Sequence, residues 1–173
     1  MYFIYLPGNG PSNKDWIEQV QKEFSSFATG QILYYQHWQT GGDLIDFDLE
    51  THRPQELISN QQDYFIFTKS AGTFLAAKAI SEKLITPEKC IFLGTPLNWG
   101  DQNHFPYPTW FDHFSTPTLF IQHTQDPMAS FVDLQKFITN QNISNSQLVD
   151  LPGDSHHYGQ LSQIQSLVQN FLN

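Results

Sequence analysis

The chain has 173 residues, a length typical of one domain and sufficient to bury a core without disulfides or metals. Its 8 basic and 17 acidic residues give a net charge of −9, which would repel nucleic-acid backbones and anionic bilayers. Cys90 is the one cysteine, which excludes an intrachain disulfide and a cysteine-based metal centre. We therefore expect a single domain over residues 1–173 that binds neither nucleic acid nor membranes.

The first residues predict a strand. Met1 to Leu6 is apolar but short, lacks a basic leader and runs directly into Pro7, which is atypical of a signal peptide. No segment approaches the roughly 18 to 20 apolar residues that a membrane-spanning helix needs. The sequence therefore predicts a cytoplasmic protein.

Short apolar runs alternate with segments of helical period. The runs that predict strands are Met1 to Leu6, Ile32 to Tyr35, Tyr64 to Thr68, Cys90 to Leu93, Thr118 to Gln122 and Gln147 to Leu151. Apolar residues at helical spacing predict helices within 16–27, 74–84, 131–138 and 161–171. Residues 49–59 are less clear, although Pro54 in a first turn would permit a helix from Gln55 onward. This alternation predicts an α/β fold, with an open, mostly parallel six-stranded sheet covered by helices on both faces.

The segment from Thr95 to Pro117 differs from the other connections. Its prolines are too frequent for a regular helix, and its aromatic residues are too numerous for a solvated linker. Two alternatives stay open at this point. The segment packs as a loop on the sheet edge, or it forms a wall of a substrate pocket to which Phe105 and Trp110 contribute.

A serine follows the third predicted strand and precedes a predicted helix, in the run Thr68-Lys69-Ser70-Ala71-Gly72. Ligands of open α/β sheets bind beyond the carboxyl ends of the strands. A sharp turn there would hold the Ser70 hydroxyl out of the sheet, while the N–H of Ala71 and the helix N-terminus face any developing negative charge. The match to G-x-S-x-G is incomplete, because Thr68 stands at the position of the first glycine. Lys69 is expected to point to solvent.

An acid and a histidine follow the serine in chain order. Asp126 comes after the fifth predicted strand, and His156 and His157 come after the sixth. A serine hydroxyl becomes a good nucleophile only when a base removes its proton, and that base needs a carboxylate to fix its tautomer. The three positions together therefore predict a catalytic triad, with either histidine as the base.

A glycine-rich loop, Pro7-Gly8-Asn9-Gly10, follows the first predicted strand. Such a loop can turn backbone N–H groups inward, and Asn9 is the candidate for a second oxyanion donor. A simple turn is the alternative, and the lack of a following Gly-Lys-Ser/Thr excludes a phosphate-binding P-loop. The remaining histidines lack the spacing of a zinc site, so neither a metal nor a cofactor is predicted.

Together these motifs resemble the α/β-hydrolase superfamily, and within it the small lidless serine hydrolases related to the retinoblastoma-binding serine hydrolase. The resemblance spans nearly the whole chain, and its carriers are Pro7-Gly8-Asn9-Gly10, Trp16, Ser70-Ala71-Gly72, Asp126-Pro127, Gly153 and His156-His157. It implies the strand order 2-1-3-4-5-6, which sets the Asn9 loop beside Ser70. It also implies that a cap domain would enter at Thr95 to Pro117. Because that segment is short, we expect a minimal fold without a cap.

The resemblance also helps to choose between the two histidines. His156 stands three residues after Gly153 and two before Tyr158, a spacing that resembles the end of many hydrolases of this superfamily. His157 remains the alternative, because the subfamily often places an aromatic residue directly after its histidine. We expect only one of the two side chains to reach Ser70, since neighbouring side chains of an extended loop point in opposite directions.

The sequence thus predicts a serine hydrolase that cleaves a small ester or related acyl bond through an acyl-enzyme. Ser70 would attack, His156 would move the proton, Asp126 would orient His156, and the N–H groups of Asn9 and Ala71 would bind the oxyanion. The expected partner is a small-molecule acyl substrate, and no feature indicates a protein partner. The alternatives are a non-catalytic, hydrolase-like binding module and a thioesterase or acyltransferase that uses the same triad.

Overall fold

A parallel sheet of six strands organises the computed structural model, which describes residues 1–58 and 63–173. The strands are β1 (Tyr2–Leu6), β2 (Thr29–Ile32), β3 (Phe65–Lys69), β4 (Lys89–Leu93), β5 (Thr118–His123) and β6 (Ser146–Leu151). Their order is β2-β1-β3-β4-β5-β6, and each neighbouring pair is parallel. The predicted sheet and strand order are confirmed.

Helices connect the strands. They are α1 (Asn13–Phe24), α2 (His37–Thr40), α3 (Phe47–Glu50), α4 (Pro54–Ile58), α5 (Ala71–Ser81), α6 (Leu97–Gln102), α7 (Tyr107–Trp110), α8 (Phe131–Asn140) and α9 (Leu161–Leu172). The four segments of helical period correspond to α1, α5, α8 and α9. Pro54 begins α4, as its place in a first turn predicted, while residue 59 of that segment lies outside the described residues. Within residues 1–58 and 63–173, none of these helices is long and apolar enough to cross a membrane.

Strand side chains alternate between two apolar layers. Phe3, Tyr5 and Phe67 face one layer, which α1 and α9 complete. Ile4 and Ile66 face the other layer, to which α5, α7 and α8 contribute. Because both faces are covered, the central strands are apolar on both sides, and this is why they were recognisable as continuous apolar runs.

The second strand lies earlier in the chain than expected, so its prediction at Ile32 to Tyr35 is wrong except at Ile32. Strand β2 is at the edge of the sheet and pairs only with β1. Thr29 and Gln31 are exposed, so no apolar run marks the strand. The apolar residues that suggested a strand, Leu33 and Tyr35, are buried in the connection that follows it.

The aromatic segment between β4 and β5 contains the helices α6 and α7, so the expectation that its prolines prevent regular helix is wrong. Pro96 directly precedes α6, while Pro106 and Pro108 lie at the start of α7. Proline is tolerated in a first turn because the N–H it lacks has no intrahelical acceptor there. The segment packs on α5, with the rings of Phe74 and Tyr107 stacked at 4.6 Å between centroids. It forms no separate cap, which agrees with the minimal fold that we expected.

Candidate active site

Ser70 occupies a strained turn between β3 and α5. Its φ of 52° and ψ of −122° are unusual for a residue with a side chain. The turn is held from both sides, because Ser70 N donates to Leu93 O at 2.9 Å and Ser70 O accepts from Thr73 N at 2.8 Å. Such strain persists where the surroundings enforce it, and here it has the form of a nucleophile elbow.

The start of α5 packs directly on the end of β1. A Cβ on Gly72 would lie 2.1 Å from Leu6 O and 2.8 Å from Pro7 O, so only glycine fits at this contact. The contact brings the loop after β1 beside the Ser70 turn. Thr68, which replaces the first glycine of the motif, is fully buried, and its hydroxyl lies 2.9 Å from that of Thr73. The hydroxyl that Thr68 introduces in place of a glycine therefore has a hydrogen-bond partner in Thr73.

His156 lies between Ser70 and Asp126. Its Nε2 is 2.9 Å from Ser70 Oγ, and its Nδ1 is 2.8 and 3.0 Å from the two carboxylate oxygens of Asp126. The Asp126 side chain has no exposed surface, whereas that of His156 is 20% exposed. With Nδ1–H donating to the carboxylate, Nε2 is free to accept the Ser70 proton. The three side chains form one hydrogen-bonded chain.

His157 points elsewhere. Its side chain is exposed and lines a surface cavity of about 340 Å³ together with Ser12, Asp15 and Trp16. The structure therefore brings His156 to Ser70 and leaves His157 outside the hydrogen-bonded chain, as the alternation of side chains along an extended loop predicts.

Asp126 accepts two further hydrogen bonds. Met128 N donates to Oδ1 at 2.8 Å, and the Tyr158 hydroxyl donates to Oδ2 at 2.7 Å. Sequence reasoning missed this role of Tyr158. The signal was its position two residues after His156, because residues i and i+2 of an extended segment point to the same side.

His123 holds the loop that carries His156, a second role that the sequence did not reveal. Its buried ring stacks on Tyr158 at 3.9 Å between centroids, and its Nδ1–H donates to Ser155 O at 2.6 Å. A Cβ on Gly153 would lie 2.7 Å from that ring, so the loop can approach this closely only with glycine. On the other side, Trp16 Nε1 donates to Tyr158 O at 2.7 Å. The loop is thus fixed from both β5 and α1.

Asn9, the candidate second oxyanion donor, is held by four hydrogen bonds. Its side-chain amide donates to Asp43 O at 2.8 Å and accepts from Ile45 N at 2.7 Å. Its carbonyl accepts from His37 Nε2–H at 2.8 Å and Trp38 Nε1–H at 2.6 Å. Within the described ranges, neither the N–H of Asn9 nor that of Ala71 has a hydrogen-bond acceptor. Both amides therefore keep an unused hydrogen-bond donor.

Lys69 does not point to solvent, so that expectation is wrong. Only 6% of the residue is exposed, because the last residue of β3 faces α1. Its Nζ donates to Asn13 Oδ1 at 2.8 Å and lies 5.1 Å from the centre of the Trp16 ring. Burial lowers the pKa of Lys69 from 10.5 to about 8, and the negative charge of Asp126 opposes that shift.

Phe105 and Trp110 belong to the aromatic layer over α5. The Phe47 ring lies 5.0 Å from each of theirs, and the three residues help to line a cavity of about 380 Å³. Lys78 also lines that cavity, whereas Ser70 does not. The structure thus does not bring this pair to the hydrogen-bonded chain, and their contact with substrate stays a prediction.

Potential metal ligands are not grouped in the part of the chain that the structure describes. Across 1–58 and 63–173, no three His, Cys, Asp or Glu side chains lie close enough together to hold an ion.

No family model and no curated protein matches the sequence. Many solved structures match the fold. Est1E from Butyrivibrio proteoclasticus, solved with ferulic acid, is 16% identical with a TM-score of 0.71, and the match covers 99% of this chain and 87% of that protein. A second similar structure is described as a hydrolase of the alpha/beta superfamily from Xanthomonas campestris pv. campestris. It is 17% identical with a TM-score of 0.68, and the match covers 98% of this chain and 98% of that protein.

A third similar structure is acyl-protein thioesterase 2 from Zea mays. It is 12% identical with a TM-score of 0.65, and the match covers 99% of this chain and 94% of that protein. Identities this low establish a shared fold and leave the activity of this chain to its own residues. The chain has the α/β-hydrolase fold.

Proposed function

We propose that this protein is a serine hydrolase that cleaves a small ester or related acyl bond through an acyl-enzyme intermediate. The observation that carries the proposal is the hydrogen-bonded chain of Ser70, His156 and Asp126 at a strained strand-to-helix turn. A surface serine, histidine and aspartate have no need of this geometry, whereas covalent acyl transfer requires it.

In the first step, Ser70 Oγ would attack the acyl carbonyl carbon while His156 Nε2 takes the hydroxyl proton. His156 would then pass that proton to the leaving group as the bond from the acyl carbon to the leaving group breaks. In the second step, His156 would deprotonate a water that attacks the acyl-enzyme, which releases the carboxylic acid and returns the proton to Ser70. Asp126 would keep Nδ1 protonated throughout and stabilise the imidazolium that forms twice in the cycle.

The N–H groups of Asn9 and Ala71 would bind the oxyanion of each tetrahedral intermediate. Ala71 is the first residue of α5, so the positive end of that helix adds to the field. The four hydrogen bonds on Asn9 hold its side chain and its carbonyl, so the residue that carries this N–H is anchored before substrate arrives. Donors that need no reorganisation during the reaction are the most effective at stabilising developing charge.

The fold neighbours support the acyl class of substrate. Est1E was solved with ferulic acid, and another neighbour is an acyl-protein thioesterase. We propose a small-molecule acyl substrate for this chain, a single domain, a cytoplasmic location, and kinship with the lidless hydrolases that resemble the retinoblastoma-binding serine hydrolase. The run Pro7-Gly8-Asn9-Gly10 supports that kinship. A thioesterase or acyltransferase on the same triad would differ in leaving group or acceptor and not in the roles of these residues.

Labelling with a fluorophosphonate probe tests the proposal, because the probe reacts only with an activated serine. Wild type and Ser166→Ala, which alters an exposed serine of α9, are expected to label equally. Ser70→Ala is expected not to label while keeping its melting temperature. Labelling of Ser70→Ala would assign the nucleophile to another residue. A folded wild type that does not label would favour the non-catalytic binding module.

Activity against a panel of p-nitrophenyl esters and matched thioesters would then define the substrate. We expect hydrolysis of short to medium acyl chains by the wild type and none above background by Ser70→Ala. A strong preference for the thioester of the same acyl group would favour the thioesterase alternative.

A further inference from the structure

The hydroxyl of Tyr158 lies directly against Asp126. It donates to Asp126 Oδ2 at 2.7 Å, and the same oxygen lies 2.8 Å from His156 Nδ1. The hydroxyl oxygen also accepts a hydrogen bond from His123 N at 3.0 Å. Because a backbone N–H can only donate, the phenol proton is left for the carboxylate. The direction of this hydrogen bond is therefore fixed by the fold.

The ring of Tyr158 is held by contacts that do not involve its hydroxyl. The ring is fully buried and stacks on the ring of His123, while the backbone carbonyl of Tyr158 accepts a hydrogen bond from Trp16 Nε1. A Cβ on Gly94, which has a φ of 62°, would lie 2.7 Å from the Tyr158 ring. Packing therefore explains an aromatic ring at this position, and phenylalanine would satisfy it. The hydroxyl needs a separate explanation.

We propose that Tyr158 is a positioning residue, whose phenol fixes the carboxylate of Asp126 and sets how strongly His156 holds a proton. The inference rests on the proposed function, since it assigns a role within the same site. Two donors share one oxygen of Asp126, so the phenol takes up part of the negative charge that would otherwise stabilise the imidazolium of His156. Without the phenol, His156 keeps its proton to higher pH, and less of the base is available near neutrality.

The phenol can act in this way over the whole range in which a histidine titrates. Burial first, and the charge of Asp126 second, raise the pKa of Tyr158 far above its ordinary value, so the donor stays protonated. The other titratable groups around His156 and Asp126 are Lys69 at the end of β3, His123 at the end of β5, and Asp154 and His157 in the histidine loop, residues 152–160. All of them persist in a Tyr158→Phe variant, so a comparison with wild type isolates the hydroxyl.

Proton titration of the His156 imidazole by NMR tests the inference in the full chain, with the His156→Gln variant used to assign the resonance. The midpoint of the His156 titration is expected to rise by about 0.5 to 1 pH unit in Tyr158→Phe. That shift corresponds to part of the energy of one hydrogen bond to a charged group. The acid limb of kcat/KM for a p-nitrophenyl ester is expected to move by the same amount, with KM unchanged.

Tyr5→Phe is the matched control. Tyr5 is fully buried in the same apolar layer, and its hydroxyl has no hydrogen-bond partner among the described residues. Removal of that hydroxyl is expected to leave the His156 midpoint where it is in wild type. Equal midpoints in wild type, Tyr5→Phe and Tyr158→Phe would overturn the inference and leave Tyr158 a packing residue.

A tyrosine fluorinated at the ring and placed at position 158 by codon reassignment gives a second test, which does not require Tyr158→Phe to fold. Fluorine makes the phenol a stronger donor, so the His156 midpoint is expected to fall below that of wild type. An unchanged or raised midpoint would contradict the inference. The NMR titration needs no turnover, so it separates this result from the proposed function, which fails if Ser70 does not label.

Discussion

Two segments beyond the carboxyl edge of the sheet are held in different ways. The histidine loop, residues 152–160, is fixed by directed hydrogen bonds, among them those to Ser155 O and Tyr158 O. The aromatic segment, residues 95–117, is held by numerous ring contacts, such as the pair Trp99 and Phe105 at 5.1 Å between centroids, besides hydrogen bonds such as the one from Asn98 N to Met128 O. Hydrogen bonds constrain distance and direction, whereas apolar packing constrains mainly volume.

This difference separates the effects expected from substitutions. Loss of a polar group that aligns His156 removes a contact that no neighbour replaces, so the expected loss is in rate. Loss of one ring in the aromatic segment leaves a cavity, so the expected loss is in stability. The predictions below test that separation, beginning with the largest effect.

The largest contrast is expected between the adjacent histidines. His156→Gln should lower kcat by about 10⁴- to 10⁶-fold, because the base that takes the Ser70 proton is lost. His157→Gln is the matched control, because this exposed neighbour lies outside the hydrogen-bonded chain, and its kcat should stay within twofold of wild type. Steady-state kinetics on a p-nitrophenyl ester provide the measurement. The reverse pattern would make His157 the base and leave the serine-hydrolase proposal intact.

A smaller loss of rate is expected at the carboxylate. Asp126→Asn should lower kcat on the order of 10⁴-fold, because an amide donates to Nδ1 and favours the wrong tautomer of His156. Asp154→Asn serves as the control, because Asp154 is an exposed carboxylate of the histidine loop. The pair is compared by kcat at a saturating ester concentration. A loss below tenfold in Asp126→Asn would point to another carboxylate as the partner of His156.

In the aromatic segment, Trp110→Ala should lower the free energy of unfolding by about 3 to 5 kcal/mol, because a buried indole is replaced by a cavity. Fluorophosphonate labelling of Ser70 should persist under conditions in which the variant is folded. Urea unfolding measures the loss, and Val132→Ala, at an exposed position of α8, is the control.

The same variant tests the predicted contact with substrate. If Phe105 and Trp110 bound the acyl chain, Trp110→Ala and Phe105→Ala would shift the preference among p-nitrophenyl esters toward longer chains, at roughly 1 to 3 kcal/mol per methylene. We expect such a shift from the sequence. An unchanged chain-length profile would mean that residues 95–117 contribute only to packing. The contrast with the histidine loop would then be larger.

The sequence alone grouped the polar residues of the candidate site because parallel strands end at one edge. Ser70, Asp126 and His156 each follow a strand that is apolar enough to recognise, so the chain order and the strand ends were sufficient to group them. The bounds of the edge strand β2 were not predicted, because Thr29 and Gln31 are polar and exposed. The α/β class was therefore predictable from the sequence pattern and the strand order from the family resemblance, while the bounds of an exposed strand were not.

Contacts between distant segments explain what the sequence could not reveal. The bonds of Asn9 to Asp43 and Ile45 join residues more than thirty positions apart, as do those between His123 and the histidine loop. Neither follows from local periodicity. The stacking of Tyr158 on His123 also joins distant segments, because His123 ends β5 and Tyr158 lies in the loop beyond β6.

Lys69, at the end of β3, gives the smallest expected effect and a test of a buried charge that does not depend on catalysis. The pKa of Lys69 is about 8 in the fold and 10.5 without it, so the unfolded chain binds more protons between these values. Stability therefore rises with pH across that window, and a lysine that is charged below it opposes folding. Lys69→Met removes this dependence. Between pH 8 and 10.5, the free energy of unfolding of the wild type should rise by roughly 1 to 3 kcal/mol relative to that of Lys69→Met.

Urea unfolding of both proteins at several pH values measures this difference, since the other groups that titrate there are common to both. Lys22→Met, at an exposed position of α1, should show no pH-dependent difference from wild type. If the difference between wild type and Lys69→Met is constant with pH, the ammonium is solvated and the hydrogen bond to Asn13 does not order it. If the wild type gains stability only between pH 8 and 10.5, the fold buries the Lys69 ammonium at a cost in free energy. In the aromatic segment, by contrast, burial of a side chain stabilises the fold.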